Sequence, residues 1–386
     1  MQDPEGLVAA FLDGGPGLWL APGEGVAPAD CVVVATSGST GEAKHVVLHR
    51  EALIAAARAA EDRLGFTATW HLTLAPQYVA GLMVLVRGRL GDGVRTASSD
   101  LTDLCLAPGR NCLSIVATQL YRALEAPALA ATLAGFDAVL VGGAALRPEL
   151  RSRAEDAGIP VIETYGMSET CGGVVWDGVP LPGVEITLGE QGRVRVGGPM
   201  VFEGYLDPAD GEAAGALRRV AVLASSDATR SGTSAVLASS DATRSGTSAV
   251  PERESYERRR APAASPAPQP PVVTNDRGRW DGDRLVIEGR VDDVVVSGGV
   301  NVDLAEVRRA VLAVEPEAEV LAVDDPEWGA RIVLFAPSGP LQRWRDKLRS
   351  HLPAAALPRQ LVVVEELPRT GGGKPDRKCL LELVKS

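Results

Sequence analysis

Aromatic residues, cysteines and histidines are scarce in this chain of 386 residues, and their scarcity excludes several classes of protein. Aromatic residues make up 4% of the sequence, and there are 4 histidines and 5 cysteines. The cysteines lie far apart without a Cys-x-x-Cys pair, and no histidine–cysteine spacing matches a zinc site. The sequence therefore predicts reduced, mostly buried thiols, as in the cytosol, and excludes a disulfide framework.

Long hydrophobic runs and an excess of positive charge are also missing. No run reaches the roughly 20 apolar residues of a membrane span. The net charge of −11 is opposite to that of typical proteins that bind nucleic acid or anionic lipid. The first residues, MQDPE, do not form the basic start of a signal peptide. We therefore expect a cytoplasmic protein with no nucleic-acid partner and no membrane partner.

The composition favours an α/β protein with two domains. The chain is 45% hydrophobic and 23% charged, and its length suffices for two cores. From residue 31 to about 205, short apolar runs alternate with helical patterns, which is typical of layered α/β folds. Strands are predicted at 31–35, 138–141 and 161–164, and a helix at 49–64. Because ligands bind at the carboxyl ends of parallel strands, we expect Thr36, Gly142 and Tyr165 to line one crevice.

A segment of biased composition at about 208–272 interrupts the chain. The sequence AVLASSDATRSGTS at 221–234 is repeated without change at 235–248. Two copies this short cannot bury a shared core, so we expect a mobile surface excursion. A small α+β unit is predicted after it, and we place the two domains at 1–291 and 292–386.

Deletion of residues 221–248 is expected to leave the melting temperature and the activity of the chain nearly unchanged, because polar biased tracts at a surface tolerate change. Thermal unfolding and activity of the deletion variant, measured beside the full chain, test this. A large loss of either would mean that the segment is packed.

One loop, residues 36–44 with the sequence TSGSTGEAK, has the composition of a phosphate-binding turn. It holds four hydroxyl side chains, two glycines and a lysine. Glycines let backbone N–H groups face an anion, and the other side chains add donors and charge. It is not a Walker A loop, which needs Gly-Lys-Ser/Thr, since Lys44 lies between Ala43 and His45. A polar turn without a ligand is the alternative.

Four motifs in one order resemble the adenylate-forming acyl-CoA ligase (ANL) superfamily. They are TSGSTGEAK at 36–44, YGMSET at 165–170, Asp276 with GRVDD at 289–293, and GK at 373–374. The resemblance runs from about residue 20 to 385, without the biased segment. Within the superfamily, the chain most resembles the short o-succinylbenzoate–CoA ligases of menaquinone biosynthesis. This closer resemblance rests on the stretches GFDAVLVGGAA at 135–145, TYGMSETCGG at 164–173, DPEWG at 325–329 and GKPDR at 373–377.

The resemblance implies an α/β fold with a large N-terminal adenylate-forming domain of layered sheets and helices. A small, mobile α+β C-terminal domain would swing about a hinge at Asp292. It also implies a ligase that uses ATP, Mg²⁺ and CoA. A small carboxylic acid would attack the α-phosphate of ATP to give acyl-AMP and pyrophosphate, and the thiol of CoA would then displace AMP. A homodimer is left open.

The resemblance further implies roles for single residues. Lys374 would bridge the carboxylate and the phosphate oxygen during adenylation, Glu169 would bind Mg²⁺, and Thr170 would reach the α-phosphate. Tyr165 would stack on adenine and Asp276 would accept the ribose hydroxyls. The other residues implied to hold ATP or CoA are Thr36, Ser37, Gly38, Ser39, Thr40, Gly41, Lys44, Gly142, Gly143, Ala144, Arg290, Gly298 and Gly299. The pocket for the acid substrate would be lined by Gln77, Tyr78, Leu82, Thr118, Gln119, Gly166, Met167 and Ser168.

Two departures from the family pattern bear on the substrate and the phosphate loop. Lys44 lacks the usual preceding proline and following glycine, and Gln77-Tyr78 stands where the short o-succinylbenzoate ligases tend to carry histidine. These changes favour a relative recruited to another carboxylic acid, as in secondary metabolism.

Other interpretations stay open at this point. The chain would alternatively be an adenylating enzyme that loads a carrier protein, or a degenerate ATP-binding homologue without catalysis. Taken singly, Glu169 also fits a helix cap, Asp292 and Asp293 fit a solvated turn, and Lys374 fits a surface lysine.

Overall fold

The computed structural model describes residues 3–37, 43–206, 269–370 and 375–385. The helices are α1 Pro4–Leu12, α2 Arg50–Leu64, α3 Val79–Leu90, α4 Ala117–Leu124, α5 Pro127–Ala134, α6 Pro148–Asp156, α7 Leu304–Val314, α8 Leu341–Leu348 and α9 Arg377–Lys385. The strands of the first part are β1 Leu18–Trp19, β2 Cys31–Ser37, β3 Ala43–His49, β4 Thr69–Leu72, β5 Val94–Thr96, β6 Asn111–Val116, β7 Ala138–Gly142, β8 Val161–Met167, β9 Gly172–Trp176, β10 Val179–Pro180, β11 Glu185–Leu188, β12 Arg193–Gly197 and β13 Gly204–Leu206. Those that follow are β14 Val272–Asp281, β15 Arg284–Arg290, β16 Val294–Ser297, β17 Val300–Asp303, β18 Glu319–Asp325, β19 Gly329–Ala336 and β20 Gln360–Val363.

Several predicted features fall outside these ranges. They are Gly38, Ser39, Thr40 and Gly41 of the predicted phosphate loop, the duplicated segment at 221–248, and Lys374. Within the described ranges, no helix combines the length and the apolar character needed to cross a bilayer.

A seven-stranded sheet, in the order β10-β9-β8-β7-β6-β4-β5, forms the centre of the large region. The five adjacent strands β8, β7, β6, β4 and β5 run parallel to one another. Strands β6 and β7 are buried along nearly their whole length. Alternate residues of β7 face different cores: Leu140 packs with α2 and α3, and Val139 packs with α4, α5 and α6. Helices on both faces explain the unbroken apolar runs. The predicted α/β layering is confirmed.

A second sheet, β1-β2-β3-β13, holds the flanks of the TSGSTGEAK loop. Here the sequence interpretation was wrong in two respects. A strand, β3, lies between the loop and helix α2, and Lys44 belongs to that strand, directly opposite Thr36 of β2. Thr36 is therefore the second-last residue of a strand in an antiparallel hairpin, outside the sheet in which β7 and β8 are parallel neighbours. The pattern missed β3 because its run AKHVVLH merges with the helical pattern after it.

Helix α2 itself agrees with the prediction to within one residue. His49 is its N-cap and accepts a hydrogen bond from the N–H of Glu51, and Gly65 ends it with φ +76°. A positive φ strains residues with a side chain, which is why helices commonly end at glycine. The cysteines also match: all five are free, and Cys31, Cys112 and Cys171 are buried. Burial raises the pKa of the Cys112 thiol to about 12.

The last part of the chain is a small α+β unit, as predicted. Its sheet runs β17-β16-β19-β18, with β20 parallel to β19. Val307 of α7 and Trp344 of α8 pack on the sheet residue Ile332. Asp303 caps α7 by accepting a hydrogen bond from the N–H of Ala305 at 2.9 Å. A third sheet of the large region, β11-β12-β14-β15, is antiparallel and leads into this unit.

Candidate active site

The turn after β7 and strand β8 form one wall of the candidate site. Gly143 has φ +83°, which favours glycine. At Gly142, a Cβ atom would lie 2.6 Å from the hydroxyl oxygen of Thr164 on β8. The N–H of Leu146 donates to the carboxylate of Glu163 at 2.9 Å, which ties the turn to β8. The predicted residues Gly142, Gly143 and Ala144 thus lie beside the strand that carries Tyr165.

The YGMSET motif spans the end of β8 and a turn of 3-10 helix. A Cβ atom at Gly166 would lie 1.9 Å from the carbonyl oxygen of Gly172, so only glycine lets β8 and β9 approach this closely. Thr170 is fully buried. Its hydroxyl accepts from the N–H of Met167 at 3.0 Å and lies 2.9 Å from the carbonyl oxygen of Gly172. In this conformation Thr170 shapes the turn, and its contact with the α-phosphate stays a prediction.

Glu169 lies in the same turn and contacts the sheet that carries Lys44. Its Oε1 accepts a hydrogen bond from the hydroxyl of Tyr205 at 2.6 Å. The ammonium of Lys44 lies 5.3 Å from the centre of the Tyr205 ring. Among the described residues, there is no cluster of three or more carboxylate, histidine or cysteine side chains that could hold a metal ion. The chemistry still fits Mg²⁺, which binds through one or two carboxylates together with phosphate oxygens.

Tyr165, Asp276, Arg290 and Asp292 form a continuous polar chain. The hydroxyl of Tyr165 donates to Asp276 at 2.8 Å, and burial together with this carboxylate raises the pKa of Tyr165. Asp276 and Arg290 are directly opposed on β14 and β15, with 3.6 Å between Oδ1 and Nη1. Arg290 also donates to both oxygens of Asp292 at 2.8 Å. The predicted adenine, ribose and hinge residues are therefore brought together.

The residues predicted to line an acid pocket are less uniform. Leu82 is completely buried in the core that α2 and α3 form with Leu140 of β7. The amide of Gln119 accepts from the N–H of Val116 at 2.9 Å and donates to the carbonyl of Ser99 at 2.8 Å, so both its ends are engaged by backbone. Gln77 and Tyr78 are half-buried before α3, and Thr118 is half-buried in α4. Gly166, Met167 and Ser168 follow Tyr165 directly. The pocket assignments stay predictions.

Gly298 and Gly299 form the turn between β16 and β17, on the small sheet. Their φ angles are +60° and +78°. The N–H of Gly298 donates to the carbonyl of Trp328 at 2.9 Å, and a Cβ atom at Gly298 would lie 2.8 Å from the indole ring of Trp328. Both glycines are thus required by the turn itself, and their contact with CoA stays a prediction.

Comparison with known proteins decides the family. Models of the AMP-binding enzyme and of the AMP-binding enzyme C-terminal domain match residues 19–206 and 310–374. A Mycobacterium tuberculosis protein named "Probable 2-succinylbenzoate--CoA ligase" is 34% identical over 384 residues, covering 94% of this chain and 86% of that protein. The chain belongs to the AMP-binding enzyme family. The predicted resemblance is confirmed.

Solved structures with the same fold include two that hold a bound ligand. The o-succinylbenzoate CoA synthetase MenE from Bacillus subtilis, in complex with the acyl-adenylate intermediate OSB-AMP, has a TM-score of 0.62 at 22% identity, over 90% of this chain and 68% of that chain. ATP-bound MatB from Rhodopseudomonas palustris has a TM-score of 0.67 at 22% identity, over 92% and 68%. The predicted fold class, a large N-terminal domain with a smaller C-terminal one, is confirmed.

Two residues of this AMP-binding enzyme escaped the sequence interpretation. Tyr205 lies outside every motif, and its contact with Glu169 joins residues 36 positions apart. Asp293 was open to interpretation as a solvated turn residue, which is wrong, because it is 3% exposed. It accepts hydrogen bonds from Arg308 at 3.2 Å and from Arg377 at 3.1 Å. The GRVDD motif was the one sequence signal for a role of Asp293, but it did not show which of its two aspartates is buried.

Proposed function

We propose that the chain is an AMP-forming acid–CoA ligase that activates 2-succinylbenzoate or a related aryl or acyl acid. The observation that carries the proposal is the polar chain from Tyr165 through Asp276 to Arg290, beside the glycine turn at 142–143. A flat aromatic wall, a ribose acceptor and a cation in one row suit an adenine nucleotide. The M. tuberculosis relative, with its printed ligase name, supports the choice of acid and thiol.

The described residues, together with the role that the family resemblance implies for Lys374, suggest how the first half-reaction would proceed. A carboxylate and the α-phosphate of ATP are both anionic, so positive charge is needed where they meet. Lys44 would face the phosphates from β3, and Lys374 would bridge the two reacting groups. Glu169 would hold Mg²⁺, which neutralises phosphate charge when bound. Asp276 would exchange its hydrogen bond from Tyr165 for the ribose hydroxyls.

The domain division at 291/292 and the hinge at Asp292 belong to the same proposal. Asp292 lies in the short turn between β15 of the large region and β16 of the small one. Its two hydrogen bonds from Arg290 hold it to the nucleotide side. Despite the opposing effect of burial, they lower the pKa of Asp292, so the carboxylate is charged at neutral pH. A cytoplasmic location fits the free cysteines.

Acid-dependent exchange of labelled pyrophosphate into ATP tests the function. We expect exchange with 2-succinylbenzoate or one related acid from a panel of aromatic, dicarboxylic and fatty acids, and acyl-CoA when CoA is added. Exchange without acyl-CoA would favour transfer to a carrier protein. Absence of exchange with every acid would contradict the proposal and favour an ATP-binding homologue without catalysis.

A further inference from the structure

Tyr205 connects the two charged groups that the proposed adenylation site needs. Its hydroxyl donates to Oε1 of Glu169 at 2.6 Å, a length typical of a charge-assisted O–H···O⁻ hydrogen bond. Its ring lies 5.3 Å from the ammonium of Lys44. It therefore contacts the carboxylate expected to hold the cation and the lysine beside the predicted phosphate loop.

The segment that carries Tyr205 is itself fixed against the Glu169 turn. The N–H of Phe202 donates to the carbonyl of Glu169 at 2.9 Å. The rings of Phe202 and Tyr205 pack edge to face with 4.9 Å between centres. Tyr205 is paired with Val46 of β3, two residues after Lys44. Glu169 is thus held through its backbone and its side chain by one short segment.

The protonation state of Tyr205 suits a donor. An ordinary phenol has a pKa of about 10 and keeps its proton at neutral pH, so the hydroxyl donates and the Glu169 carboxylate accepts. The hydrogen bond occupies one oxygen of Glu169 and leaves Oε2 for another ligand. Fixing a carboxylate in one orientation before the cation arrives lowers the entropy lost on binding.

We infer that Tyr205 is a positioning residue that orients Glu169 for a divalent cation bound with the ATP phosphates. The inference rests on the proposed function and deepens it, because it names what sets the geometry of the metal carboxylate. Groups that hydrogen-bond to metal ligands typically change metal affinity or activity by about 10–100-fold when removed.

The substitution Tyr205→Phe keeps the ring and removes only the donor. We expect it to weaken Mn²⁺ binding to the protein by about tenfold in the presence of a non-hydrolysable ATP analogue. The loss of the free Mn²⁺ signal in electron paramagnetic resonance, beyond the loss seen with Mn²⁺ and the analogue in the absence of protein, measures this binding without an acid substrate. The Mg²⁺ concentration for half-maximal pyrophosphate exchange is expected to rise by a similar factor.

Tyr121→Phe is the matched control. Tyr121 packs beside the core that α4, α5 and α6 form with Val139 of β7, and the guanidinium of Arg153 lies 5.7 Å from the centre of its ring. The same oxygen atom is therefore lost beside another cation. This variant is expected to bind Mn²⁺ like the unchanged protein. Melting temperatures of both variants show that each is folded.

A double-mutant cycle with Glu169→Gln decides whether Tyr205 acts through Glu169. If it does, adding Tyr205→Phe to Glu169→Gln causes little further loss of Mn²⁺ affinity. Equal affinities of Tyr205→Phe and the unchanged protein, or an undiminished effect in the Glu169→Gln background, would overturn the inference. Failure of the unchanged protein to bind Mn²⁺ with the nucleotide would instead count against the proposed function.

Discussion

Lys374→Ala is expected to slow acyl-AMP formation by about 10³-fold and to leave thioester formation from supplied acyl-AMP and CoA nearly unchanged. Removing one group that stabilises charge in a transition state typically costs about 10²–10³-fold in rate. Because Lys374 would be the cation between two anions, we expect a loss at the upper end of this range. Only adenylation brings those anions together, so only that half-reaction loses its cation.

The chain on either side of residues 371–374 is held by several contacts. Residues 369 and 375 are bridged as antiparallel partners, and the N–H of Asp376 donates to the carbonyl of Pro368 at 2.7 Å. Arg377, three positions after Lys374, donates to the buried carboxylate of Asp293 at 3.1 Å. The chain on both sides of the lysine is therefore anchored to the small domain.

Measurement of the two half-reactions separately tests this prediction. Pyrophosphate release reports adenylation, and acyl-CoA formed from chemically prepared acyl-AMP reports the second step. Lys378→Ala is the matched control, because Lys378 is an exposed lysine at the start of α9, and both rates should persist. Equal losses in the two half-reactions for Lys374→Ala would reject its role.

The sequence predicted the architecture better than it predicted the contacts of the site. Apolar runs and glycine punctuation suffice for β7, β8 and α2, because burial and helix ends depend on nearby residues. The bond from Tyr165 to Asp276 joins strands of different sheets across 111 positions. No local pattern encodes such a contact, since it depends on how separate sheets pack.

The same reasoning explains the misinterpretation of Thr36 and Asp293. A short apolar run indicates a strand but leaves its sheet and its partners unspecified. Two neighbouring aspartates in a turn are usually solvated. Asp293 is buried because arginines from α7 and α9 reach it, 15 and 84 positions away along the chain.

Asp293→Asn is expected to lower the free energy of unfolding by about 3 kcal/mol, because removing one partner of a buried ion pair typically costs about 3–5 kcal/mol. The Asp293 side chain is 5% exposed. The carboxylate of Asp293 now accepts hydrogen bonds from two guanidinium groups. The asparagine amide would instead point its NH₂ group, a donor, at one of them. Arg308 keeps its bond to Glu319 at 2.6 Å, which holds the loss to the lower part of the range.

Urea unfolding followed by circular dichroism measures this loss, with Asp346→Asn as the matched control. Asp346 pairs with Arg349 at 3.7 Å, but both side chains are about 60% exposed, and such surface pairs contribute little. Adenylation by Asp293→Asn should also slow, by up to about 100-fold, since Arg377 then loses the anchor that fixes the chain after Lys374. Equal stability of the two variants would mean that the buried cluster contributes no more than an exposed pair. A slower adenylation with unchanged stability would assign Asp293 to the placement of Lys374 alone.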